Sequence, residues 1–126
     1  MSSLPHTDKV ALSGSQAGMR FIAQMKLYND QNLERLQAFI NDSYADTLLQ
    51  ERPTQDRVAD CVEMLAQLGR QKVHQVLASG KHQVSVVMTT EKVGGFFYIE
   101  VQVEEDYPHK ISKFLHAPLE VVHTDE

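Results

Sequence analysis

The sequence predicts an α+β domain in which three N-terminal helices pack on a four-stranded antiparallel sheet. Two observations carry that prediction. As far as Leu68 the apolar residues recur at three- and four-residue spacing, and from residue 72 onward they recur at every second position. Helical and strand segments are also segregated along the chain rather than alternating, which favours helices stacked on one face of an antiparallel sheet.

The first helix opens at Ser13 or Ser15, either of which can cap it. Its stripe is Gly18, Phe21, Ile22, Met25 and Tyr28, and Asn29-Asp30 breaks it. Gly18 on an apolar stripe points to close approach of another backbone or to a weak first turn. Asp30 or Asn32 caps a second, shorter helix carrying Leu33, Leu36, Phe39 and Ile40, which closes at Asn41-Asp42-Ser43. Tyr44, Leu48 and Leu49 take apolar surface into a connection. The third helix starts at Pro53-Thr54 with Thr54 as cap and Asp56 in the first turn, where the helix dipole favours a carboxylate. Val58, Cys61, Val62, Leu65 and Leu68 line one side of it, and Gly69 sits at the position of a left-handed C-terminal cap.

Four strands follow, over residues 72–78, 82–90, 96–104 and 110–117. Their turns are Ser79-Gly80-Lys81, Gly94-Gly95 and Glu105-Asp106-Tyr107-Pro108, and Pro118 is the expected end of the last strand. The third strand alternates most cleanly. Phe97, Ile99, Val101 and Val103 face one way, and Tyr98, Glu100, Gln102 and Glu104 face the other. The chain thus divides into a flexible arm over residues 1–14, a single domain over 15–118 and an acidic tail over 119–126.

Composition narrows the function classes. A net charge of −5 with scattered Lys and Arg and no Trp speaks against a nucleic-acid partner, which needs rows of cations or stacking platforms. One cysteine, Cys61, allows no internal disulfide, which fits a cytoplasmic location. No apolar run approaches the roughly 18 residues that a membrane span requires.

Three passages together carry a family resemblance. They are Asn32-Leu33-Glu34-Arg35-Leu36-Gln37-Ala38-Phe39 leading to Tyr44-Ala45-Asp46, then Leu65-Ala66-Gln67-Leu68-Gly69, and then Tyr107-Pro108-His109-Lys110-Ile111-Ser112 running on to Pro118. Over roughly residues 15–118 the chain resembles the nuclear transport factor 2-like superfamily, also called cystatin-like and including SnoaL-like proteins. Within it, the chain is most similar to the small bacterial domains found beside serine hydrolases and peptidases. The resemblance implies a cone, in which a curved sheet wraps the long first helix with a pocket between them, and dimers through the sheet. The family includes isomerases, dehydratases and cyclases as well as binding or accessory domains with no chemistry.

An isomerase on such a fold needs a carboxylate base in the pocket and donors aimed at the developing oxyanion. The predicted inner face carries Val84, Val86, Met88, Phe97, Ile99, Val101 and Val103, with no acid or histidine among them. No catalytic residue is therefore assigned. The candidate ligand-pocket residues are Tyr28, Tyr44, Met88, Phe97 and His116, the tyrosines because a buried phenol keeps its hydroxyl near a partner. Each also reads as an ordinary core or strand residue. Among the six histidines none forms a helical His-x-x-x-His pair or a zinc-spaced cluster, so no metal or cofactor is expected. Cys61 lies on an apolar helix stripe, where a structural thiol is expected rather than a nucleophile. Glu100, Glu104, Glu105 and Asp106 read as a solvated strand end, and the outer face with Phe96, Tyr98 and Val87 suits a homodimer interface. The expected function is a non-catalytic binding or accessory homodimer with a possible apolar ligand pocket. Its alternative is a SnoaL-like or ketosteroid-isomerase-like enzyme acting on a small hydrophobic substrate.

Overall fold

The computed structural model describes residues 12–119; the remainder of the predicted arm and all but the first residue of the acidic tail lie outside the described residues. Among the described residues four helices, α1 (Gln16–Asn29), α2 (Leu33–Ser43), α3 (Asp46–Glu51) and α4 (Thr54–Leu68), precede four strands, β1 (Gln71–Ser79), β2 (Gln83–Thr90), β3 (Phe96–Val103) and β4 (Ile111–Leu119). The strands form one antiparallel meander in the order β1-β2-β3-β4. The α+β class is as predicted; the count of three helices is not.

The additional helix is α3, in the stretch expected to be a connection. Six residues are too few to display a helical period, so the sequence shows only Leu48 and Leu49 as apolar. Both pack against the core, and Arg57 secures the C-terminal end by donating to the carbonyls of Leu48 at 2.9 Å and Arg52 at 2.7 Å.

Caps set the other boundaries. Ser15 accepts from the Gly18 N–H at 3.0 Å and Asn32 from the Arg35 N–H at 3.2 Å. The cap of α4 is Pro53 rather than Thr54; the helix starts one residue earlier, without a side-chain cap. Gly69 closes α4 at φ 76°, where a side chain would be strained.

The core lies between α1, α2 and one sheet face, and centres on Phe21, Leu36, Ile40, Val86, Ile99 and Val101, each no more than 1% exposed. Leu12, which the sequence leaves in the arm, is fully buried in the same cluster. Gly18 shows why its side chain is missing: a Cβ there would stand 1.8 Å from the Leu12 carbonyl oxygen.

Two bulges explain a parity that simple alternation does not give. In β1, Val73 pairs with Met88 and Val76 with Val86, and the irregularity after Val73 brings both valines to the core face although they are three residues apart. In β4 an irregularity at the Val103–Ile111 end places Ile111 and Phe114 on that face together. Pro118 does not end β4. It pairs with Phe97 inside the strand, which continues to Leu119. A proline is tolerated there because β4 is an edge strand, so a missing N–H need not break a ladder.

Candidate ligand cleft

Helix α1 presents Phe21, Ile22 and Met25 toward the sheet, and Val73 of β1 and Met88 of β2 face them. With Leu12 these side chains line a cleft of about 250 Å³. Lys26, Asn29, Gln71 and Lys72 complete its wall. A second, polar groove of about 500 Å³ shares Asn29, Gln71 and Lys72 with the cleft and continues along Asp30, Arg70, Thr89, Thr90 and Glu91.

The amide of Asn29 behaves as a piece of strand. Its Nδ2 donates to the Gln71 carbonyl at 2.8 Å, and its Oδ1 accepts from the Gln71 N–H at 2.8 Å. This pair joins the last residue of α1 to the first residue of β1, and so sets the width of the cleft at one end. The Gln71 side chain, 2% exposed as a residue, is equally committed: Nε2 donates to the Met64 sulfur at 3.2 Å, and Oε1 lies 3.0 Å from His116 Nε2. Since the Gln71 oxygen can only accept, this contact places the imidazole proton on Nε2. Burial pushes the His116 pKa below its ordinary value, keeping the ring neutral at pH 7, and Phe97 stacks on it with centroids 5.2 Å apart.

The two candidate tyrosines are held the same way. The Tyr28 hydroxyl donates to the Gly69 carbonyl at 2.8 Å, tying α1 to the end of α4. Tyr44 donates to Gln24 Oε1 at 2.8 Å, with the Arg57 guanidinium 5.0 Å from its ring centroid and Phe114 stacked at 6.4 Å. Its position is fixed by a parallel bridge to Ile111. Burial raises both phenol pKa values, so both remain protonated donors.

Of the five predicted pocket residues, Met88 lines the cleft. Tyr28, Tyr44 and Phe97 belong to or pack against the core, and His116 stands behind Gln71 rather than in the wall. The residues that give the cleft its polar edge, Asn29, Gln71 and Lys72, carry no signal in the sequence beyond being polar near element ends. Cys61 is partly buried and its thiol is pushed up to about 11 by that burial, which leaves it protonated and unreactive at neutral pH.

On the opposite sheet face the structure corrects the reading of Glu100. Rather than lying in a solvated acidic end, its residue is only 8% exposed. Its carboxylate accepts from Gln102 at 2.7 Å, Gln83 at 2.9 Å, Tyr98 at 3.3 Å and Lys113 at 3.3 Å. The Gln102 amide first, and then Lys113, hold its pKa below the usual carboxylate range. Among the described residues no three His, Cys, Asp or Glu side chains gather to hold a metal ion. No helix among them is long and apolar enough to cross a membrane.

Compared with protein-family models, with curated proteins and with solved structures, the chain matches none.

Proposed function

We propose that this chain is a binding or accessory domain of the nuclear transport factor 2-like type that holds a small apolar ligand between α1 and the sheet and carries out no chemistry. The observation that carries this reading is the makeup of the cleft wall. It is apolar over most of its area, and its four polar residues are two carboxamides and two lysines, with no carboxylate or histidine to act as a base. A cleft between the long first helix and the sheet also agrees with the resemblance in the sequence. A cytoplasmic setting accompanies this reading, with the single thiol of Cys61 left reduced.

The same proposal includes a homodimer through the outer sheet face. Leu77 and Leu115 are 51% and 39% exposed there, beside Tyr98 and a Glu100–Lys113 pair already neutralised within one chain. Apolar side chains around an internally satisfied polar centre suit a face that becomes covered.

The rival enzyme reading has one observation in its favour: the neutral imidazole of His116 reaches the cleft wall through Gln71. A carboxamide relays no proton under ordinary conditions, so the ring would have to displace Gln71 to meet a substrate.

A screen of small apolar compounds by thermal shift tests the binding reading, because a ligand that binds only the folded state raises Tm. Stabilisation by at least one apolar class, abolished when Ile22→Trp fills the cleft, is the expected result. A screen that moves nothing overturns it. Sedimentation at micromolar concentration tests the dimer, and a monomer mass refutes that part.

A further inference from the structure

The charges around the cleft narrow the class of ligand, an inference that rests on the binding reading above. Every polar group deep in the wall is already used. Both ends of the Asn29 amide are paired with the Gln71 backbone, and both ends of the Gln71 amide are paired with Met64 and His116. The buried part of a ligand therefore finds no hydrogen-bonding partner there, and must be apolar to enter without loss. An apolar cavity of about 150 Å³ takes up benzene, so 250 Å³ has room for roughly ten carbon atoms, fewer than a steroid contains.

At the mouth the situation reverses. The cleft and the polar groove meet at Asn29, Gln71 and Lys72. The walls of the two carry three cations and two carboxylates, of which Lys26 pairs with Asp30 at 3.0 Å and Arg70 with Glu91 at 3.2 Å. Lys72 is left over. Its side chain makes no hydrogen bond or ion pair among the described residues. Counted among the described residues, the boundary between the apolar slot and the polar groove thus carries one uncompensated positive charge.

We propose that the ligand is a medium-chain amphiphile with a single carboxylate. Its alkyl chain lies along the cleft against Ile22, Met25 and Val73, and its head group lies in the groove beside Lys72. One negative charge is matched there, and a cationic head is repelled.

Calorimetric titration at pH 8 of the full chain with decanoate, decanol and decylamine, each below its aggregation concentration, tests the pairing of chain and charge. Wild type is expected to bind decanoate more tightly than decanol, and decanol more tightly than decylamine. Lys72→Gln, a change at an exposed side chain, is expected to weaken decanoate about threefold to fivefold, the effect of one solvent-exposed ion pair, and to leave decanol unchanged. Ile22→Trp is expected to abolish binding of all three. If wild type binds decanoate and decanol equally, or if Lys72→Gln leaves decanoate unchanged, the head-group assignment is overturned while the cleft remains a binding site. If no alkyl probe binds wild type, the cleft reading itself falls and the head-group inference with it.

Discussion

Asn29 and Gln71, 42 positions apart in sequence, are joined by two hydrogen bonds of 2.8 Å that run from one side-chain amide to both backbone groups of the other residue. A side chain here completes the backbone pairing of a strand at its first residue. Because Gln71 also holds His116 and Met64, this one contact organises the floor of the cleft, the closing strand and the end of the helical layer.

Removing that amide is expected to cost more than one ordinary hydrogen bond. Asn29→Ala leaves the N–H and C=O of Gln71 without their side-chain partners, a loss of about 1–3 kcal/mol for each group left dry. Urea unfolding is expected to show a lower midpoint at unchanged slope. Asn29→Asp, which keeps the acceptor and loses the donor, is expected to fall between alanine and wild type.

Gly18→Ala tests whether the helix and the segment before it are in backbone contact. The new methyl would meet the Leu12 carbonyl oxygen at 1.8 Å, and backbone cannot yield as a flexible side chain does. Destabilisation of about 1–3 kcal/mol is expected from overpacking, against the small gain that alanine brings to an unconstrained helix. A variant as stable as wild type in thermal unfolding would place Leu12 outside the core.

Protonation of His116 opposes folding, because burial depresses the folded pKa below the unfolded value of about 6.5. Above that pH both states are neutral and stability does not depend on this ring. As pH falls below about 6.5 the unfolded chain takes up a proton that the folded chain refuses, and stability declines until the folded pKa is passed. His116→Gln is expected to flatten this part of the profile, measured as Tm against pH between 7 and 5.

Glu100 acts in a lower window. Its folded pKa is depressed below the unfolded value of about 4.3, so its stabilisation is fully present above that pH and is lost as pH falls through the folded pKa. Glu100→Gln is expected to make the decline below about pH 4.3 shallower, Asp60 and Glu91 with their own depressed pKa values supplying the rest, and to leave the His116 step in place. Identical acid profiles for wild type and Glu100→Gln would mean that the four donors around the carboxylate do not hold its charge in solution.

Much of the fold was legible because it rests on local pattern. The alternation of Phe97, Ile99, Val101 and Val103 assigned the dry face of β3, and Ser15, Asn32 and Gly69 were among the residues expected at helix ends. The site was much less legible. Tyr28 and Tyr44 read either as hydroxyls at a pocket mouth or as core aromatics, and they are core aromatics whose hydroxyls are paired across 41 and 20 positions respectively, with partners that no spacing rule identifies. Glu100 looked exposed because it alternates with buried residues. Its burial comes from Gln83 and Lys113, long side chains of the neighbouring strands that fold over it.

By itself the sequence determined the class, the succession of helices before strands and which residues of β3 form the dry face, because helix and strand periods are properties of neighbouring residues. Only the tertiary structure decided the helical turn of α3, the bulges that bring Val73 with Val76 and Ile111 with Phe114 to one face, and the pairing of Asn29 with Gln71. It also decided that Lys72 stands at the mouth of an apolar cleft with no ion-pair partner among the described residues. Each of these depends on which distant side chains meet once the helices close on the sheet, and hydrogen bonds and ion pairs are made or lost by that meeting.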